Sequence, residues 1–183
     1  MKITKTFIDD LYIIEPQIYN DQRGFFFEFY NKHIFKELTG LEVDFIQDNL
    51  AQSKKGVLRG LHFQKAPYAQ AKLVSVIKGA VLDVVVDLRN GSKTFGQYFS
   101  IVLNEQNRQQ LFIPRGFAHA YLTLADDSLF FYKIDNIYQP QSEAGIKFDD
   151  PDLKIDWQYD LSQIIISEKD RNLPYLKDLK NYL

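Results

Sequence analysis

With 183 residues, the chain is long enough to bury a real core as one domain. Lysine and arginine total 22 against 24 aspartate and glutamate, with the signs interspersed; this lacks the basic stripe of a nucleic-acid binder or a membrane-surface protein. There is no cysteine, which excludes disulfides, thiolate catalysis and cysteine-ligated zinc or iron–sulfur centres. No apolar run approaches a membrane span, and Met1-Lys2-Ile3-Thr4-Lys5 leads into strand-like sequence, not a signal-peptide core. The expectation is a soluble cytoplasmic protein with no membrane partner.

The first predicted strand covers residues 2–14, and Asn20 to Gly24 is a turn. Phe25 to Tyr30 reads as a heavily aromatic strand, too apolar for an exposed edge and in need of a partner sheet or second subunit. Asn31 caps a short helix from His33 to Leu38 that stops at Gly40. Strands follow over residues 43–52, 57–64, 71–77, 80–88, 97–103, 108–113, 118–124 and 128–135, separated by turn residues. In the 80–88 strand, Ala80, Leu82, Val84, Val86 and Leu88 share one face, with Val81, Asp83, Val85 and Asp87 on the other. The C-terminal part is different: Ser167 to Asp170 opens a helix, and Tyr175 to Tyr182, after Pro174, reads as a short terminal one. Many short, evenly spaced strands predict an all-β sandwich or barrel.

Two stretches carry chemistry. In Leu58-Arg59-Gly60-Leu61-His62-Phe63-Gln64, alternation sends Leu58, Gly60, His62 and Gln64 to one face and Arg59, Leu61 and Phe63 to the other. A charged Arg and a titratable His in such a run are costly to bury unless engaged, and a strand glycine often marks close approach of a ligand or backbone. His62 is the first candidate base; the alternative is a hydrogen-bonded core histidine. The second stretch is Pro114-Arg115-Gly116-Phe117-Ala118-His119, whose Pro-x-Gly-x-x-His resembles the second motif of the cupin jelly rolls. The first motif of metal-binding cupins has His-x-His and a carboxylate; here it reads His62-Phe63-Gln64. The remaining histidines make a poor metal set, so no metal and no cofactor is expected.

The resemblance extends along almost the whole chain to the dTDP-4-dehydrorhamnose 3,5-epimerase family, which consists of metal-free cupin enzymes. It rests on Gln22 to Phe26 with Glu28, Gln47-Asp48-Asn49, Leu58 to Gln64, Gln70 to Val74, Gly79 to Val84, Ile113 to His119, Tyr132-Lys133, Asp149-Asp150-Pro151 with Ile155-Asp156-Trp157, and Ser167 to Asp170. It implies a cupin-type double-sheet jelly roll with short peripheral and C-terminal helices. Residues 1–183 would form one domain: 1–50 as N-terminal strands and a helix contributing to a homodimer, 51–140 as barrel core, and 141–183 as the segment carrying Asp170. The implied substrate is a dTDP-linked 4-keto-6-deoxyhexose, whose C3 and C5 hydrogens flank the ketone and leave as protons to give an enolate. Such chemistry needs a base, a cation or donor at the ketone oxygen and an acid on the opposite ring face. By resemblance, His62 is the base, Asp170 its carboxylate partner, Lys72 the cation and Tyr132 the acid. Arg23 and Arg59 suit the diphosphate. Arg23, Phe26 and Glu28 would come from a strand exchanged with the second subunit. Gln47, Asn49, His119, Tyr138 and Lys169 complete the binding set.

Each residue has a plainer reading. Asp170 follows Ser167 at helix-capping spacing, Lys72 suits a strand edge, Tyr132 a core or rim, and His119 a structural remnant. Relatives that epimerise only C3 or only C5 can keep the same His, Asp and Tyr, so a single-site epimerase is the alternative reading. The chain departs from the family pattern at Ser75, where Arg is common, at Phe148, where Trp is usual, and at Lys93, which replaces a common Pro. The change at Ser75 is expected to touch the pocket wall or substrate preference.

Overall fold

The computed structural model describes residues 1–179. Its strands are β1 (Lys2–Lys5), β2 (Tyr12–Glu15), β3 (Tyr19–Asp21), β4 (Gly24–Phe26), β5 (Gln47–Ser53), β6 (Leu58–Gln64), β7 (Lys72–Lys78), β8 (Ala80–Asp87), β9 (Tyr98–Asn104), β10 (Gln110–Ile113), β11 (Phe117–Thr123), β12 (Ser128–Ile134) and β13 (Glu143–Gly145). Two helices accompany them, α1 (Lys32–Thr39) and α2 (Glu168–Arg171). One sheet runs β1-β2-β10-β7-β12-β5, the facing sheet β13-β6-β11-β8-β9, and β3 and β4 form a separate hairpin. The result is a double-sheet, cupin-like jelly roll.

Alternation places the core. Along β8, Val81 and Val85 point between the sheets, where they meet Val74, Val76, Leu111 and Phe130. Leu82, Val84, Val86 and Leu88 point outward and are covered by Ile146, Phe148, Leu153 and Trp157 of the C-terminal segment. Phe148, the position where family members usually carry Trp, is therefore part of this cover, and its carbonyl accepts a hydrogen bond from Trp157 Nε1. On the other side, Phe35 of α1 packs on Tyr12, Leu73 and Phe112. Asn31 caps α1 by accepting from the His33 and Ile34 amides, and Gly40 ends it in a left-handed conformation.

Several expectations need correction. The 2–14 strand is a hairpin, β1 and β2, because Asp10 turns the chain with φ 65°. The aromatic strand is regular only over Gly24–Phe26; its hairpin partner is the short β3, and nothing among the described residues extends the ladder beyond Phe26. The strand expected from Val43 begins at Gln47, where β12 starts to pair with it. β13 was not foreseen; it is three residues long and exists by pairing with β6. At the C-terminal end, the described part of the expected 175–182 helix is one 3-10 turn, Leu176–Asp178, and residues 180–182 lie outside the described residues.

The most consequential correction is in β6. His62 pairs with His119 across the ladder, but Arg59 pairs with Tyr121, so one extra residue of β6 is accommodated between them. Gly60 sits in this bulge with φ +114°, and a Cβ there would lie 2.5 Å from the His119 carbonyl oxygen. Simple alternation separates Arg59 from His62. The bulge restores them to one face, while Leu58, Leu61 and Phe63 join the outer cluster.

Candidate active site

Between the sheets, at the end where the packing opens, lie two connected hollows. One, of about 620 Å³, is bounded by Arg59, His119, Tyr121, Phe130 and the start of α2; the other, of about 340 Å³, by Gln47, Asn49, Gln64, Tyr138 and Glu143. His62, Lys72 and Tyr132 line both.

Each of the three owes its position to strand geometry. Lys72 heads β7 on the inward face it shares with Val74 and Val76. Tyr132 follows Phe130 on the inward face of β12, their rings 5.9 Å apart. His62 is held from behind: its Nε2 lies 2.6 Å from Asp170 Oδ1. Asp170 is buried, its second oxygen accepts from the Gly60 amide at 3.3 Å, and its own amide donates to Ser167 Oγ at 3.0 Å. Asp170 is thus both the third residue of the capping turn and the partner of the imidazole. Burial works against its charge, but the hydrogen bonds from His62 and the Gly60 amide prevail and hold the carboxyl below its usual range. With Nε2 engaged by a carboxylate, Nδ1 is the nitrogen left to accept a proton.

Burial also lowers the Lys72 ammonium to about 8, against the opposing pull of Asp83 and Glu143. Burial raises the Tyr132 phenol, with the Arg59 guanidinium moderating the effect. His119 is buried beside His62, its Nε2 2.9 Å from Asp83 Oδ2, and burial lowers its pKa.

The rim is polar. Gln47 donates to Asn49 Oδ1 at 2.8 Å, and Asn49 Nδ2 is buried without a partner. Arg59 Nε donates to Ser53 Oγ at 3.3 Å. Tyr138 and Lys169 both donate to Glu143 Oε2, at 2.8 and 2.6 Å, tying the loop after β12 to α2. Among the described residues, no three His, Asp or Glu side chains group so as to hold a metal ion.

The structure therefore brings ten of the thirteen sequence-nominated residues to one cavity: His62, Asp170, Tyr132, Lys72, Gln47, Asn49, Arg59, His119, Tyr138 and Lys169. It does not bring Arg23, Phe26 and Glu28 there. Arg23 is exposed and bonds Asp21 through Nε at 3.0 Å, Phe26 is 66% exposed, and Glu28 accepts from Asn31 Nδ2 at 3.0 Å. Ser75 is also elsewhere, in a groove on the outer face of the six-stranded sheet under Phe25, Phe27 and Phe29, so this departure does not alter the cavity wall as expected. Lys93 is exposed in the turn after β8. The sequence reading missed Glu143, Tyr121 and the role of Asp83. Asp83 left a signal, an acidic residue on the inward face of an otherwise apolar strand; Glu143 left none, since the strand carrying it was not foreseen.

The fold and this cavity define a cupin-like jelly roll with a polar, ligand-sized site between its sheets, and the comparisons name the family, one of isomerases. The dTDP-4-dehydrorhamnose 3,5-epimerase family profile matches residues 5–178. A relative so named from Methanothermobacter thermautotrophicus is 48% identical over 183 residues, covering 100% of this chain and 98% of its own. The crystal structure of dTDP-4-dehydrorhamnose 3,5-epimerase from Elizabethkingia anophelis superposes with a TM-score of 0.95 at 51% identity, covering 98% of each chain. That of a Legionella pneumophila dTDP-6-deoxy-D-glucose-3,5-epimerase, in complex with dTDP-4-keto-L-rhamnose, gives a TM-score of 0.94 at 46% identity, covering 98% of this chain and 94% of the other. The chain belongs to the dTDP-4-dehydrorhamnose 3,5-epimerase family.

Proposed function

We propose that the protein inverts C3 and C5 of a dTDP-linked 4-keto-6-deoxyhexose through enolate intermediates, without a cofactor, giving dTDP-4-dehydro-L-rhamnose. The observation that carries this reading is the shared wall of the two hollows: a carboxylate-backed imidazole, an ammonium and a phenol converge where the hollows meet. His62 Nδ1 takes the proton from the carbon beside the ketone, and the C–H electron pair moves into the ring as the C=O pair moves onto oxygen. Lys72 stabilises the oxyanion that forms. Tyr132 donates its proton to the opposite face of the same carbon, the oxyanion collapses back to the ketone, and the imidazolium and phenolate then exchange protons with solvent. Asp170 fixes the tautomer and stabilises the imidazolium.

Arg59, Gln47, Asn49, His119, Tyr138 and Lys169 hold the nucleotide sugar in this reading. Arg23, Phe26 and Glu28 act in the cavity of a second copy: a homodimer in which the N-terminal hairpin crosses over supplies the missing phosphate ligand and covers the exposed Phe25 and Phe26.

The test is proton NMR of dTDP-4-keto-6-deoxyglucose with the enzyme in heavy water. Solvent deuterium entering both C3 and C5, with inversion at both and neither in His62→Ala, is the expected result. Exchange at one carbon only would replace this reading by a single-site epimerase, and no exchange with retained binding would end it.

A further inference from the structure

The Lys72 ammonium has no hydrogen bond or close ion pair among the described residues, although it lies inside the cavity. The charged and titratable groups around it come from six elements. β6 brings Arg59 and His62, β8 Asp83, β11 His119 and Tyr121, and β12 Tyr132 with Tyr138 in the loop beyond; β13 brings Glu143, and α2 Lys169 and Asp170. Only three of these are carboxylates. Asp170 is engaged by His62, and Glu143 by Tyr138 and Lys169. Asp83 is different: it is wholly buried, Oδ2 meets His119, and Oδ1 has no hydrogen-bond partner among the described residues. A buried carboxylate with a bare oxygen is costly unless a cation compensates it. Asp83 projects between the sheets from β8, on the same inward side from which Lys72 enters on β7.

We propose that Asp83 is a positioning residue for Lys72: its unpaired oxygen supplies the counter-charge that keeps the ammonium protonated in the cavity, and His119 holds the carboxylate in that orientation. This rests on the reading of Lys72 as the cation at the ketone oxygen. The two sides of the balance differ in kind. Burial strips water from the ammonium, and Asp83 and Glu143 restore part of what is lost. With the Asp83 charge gone, Glu143 alone remains, and it is shared with two other donors.

The experiment is the pH dependence of kcat/KM between pH 6 and 9.5 for the wild type, Asp83→Asn, Lys72→Arg and the double variant. Asp83→Asn is expected to move the alkaline limb down by about one pH unit, a loss beyond that at pH 6.5 of about fourfold at pH 8 and about eightfold at pH 9.5. In the Lys72→Arg background, where the guanidinium stays charged throughout, the same substitution is expected to move no limb. If Asp83→Asn does not give a folded protein by circular dichroism, Asp83→Ser, which is smaller and admits water, is expected to show the same shift. A loss that is equal at every pH, with the alkaline limb in place, would overturn the proposal and leave Asp83 a structural residue. The underlying reading fails separately: Lys72→Ala retaining wild-type α-proton exchange removes the role of Lys72 itself.

Discussion

The cavity contains two histidine–aspartate pairs, and their histidines face each other across neighbouring strands. His62 pairs with Asp170 at 2.6 Å and His119 with Asp83 at 2.9 Å, and the ladder sets His119 opposite His62. By residue type and distance they are nearly the same device. They differ in access: the His62 side chain is 30% exposed and opens on both hollows, whereas that of His119 is 7% exposed and is stacked beside Phe130. Their carboxylates differ too. Asp170 spends both oxygens on His62 and the Gly60 amide, while Asp83 keeps one free. A histidine backed by a carboxylate is thus no mark of a general base until the second nitrogen can reach a substrate.

The comparison can be broken most severely at the two histidines. His62→Ala is expected to reduce α-proton exchange by about 10³-fold or more, and His119→Ala by no more than about 30-fold, measured by deuterium uptake under saturating substrate. Equal losses would erase the distinction drawn here. Asp170→Asn, which keeps the shape but not the charge, is expected to cost about 10²–10³-fold in kcat with little change in KM, since in the proposed mechanism the carboxylate acts on the imidazolium formed in the transition state.

A fourth substitution acts on the ladder between the pairs. Gly60→Ala forces a Cβ against the His119 carbonyl and Ala120 at a positive φ, and is expected to destabilise the fold by about 2–4 kcal/mol in urea unfolding. The smallest effect is in pH dependence. His119 is held below its usual pKa by burial, so the unfolded chain binds its proton first as the pH drops. Its contribution to stability is present above the unfolded value of about 6.5 and is lost as the pH falls toward the folded one. Urea midpoints between pH 7.5 and 5.5 are expected to fall less steeply in His119→Gln than in the wild type.

Much of this was legible in the sequence for a physical reason. Strands that bury one face must alternate, and β8 showed which of its residues meet the other sheet before any coordinates did. The Asn31 cap and the Gly40 stop are local signals and placed α1 to within a residue at each end. Arg59 was set on the wrong face because a bulge is written in the pairing of two strands, not in the alternation of one. The strand carrying Glu143 was invisible because three residues hold no period. Asp170 carried two signals on one residue, a capping position and a partner for His62, and only the joined match along the chain made the second readable.

The separation of His62 from Asp170 along the chain, 108 residues, has a consequence for synthesis. A ribosome releases the strands of both sheets, and with them most of the cavity wall, before it reaches α2. A truncated product ending before Ser167 would retain the imidazole, the ammonium and the phenol but no carboxylate behind His62. Under the proposed mechanism, full turnover accordingly requires that synthesis has passed Asp170, so activity reports on a late-made part of the chain.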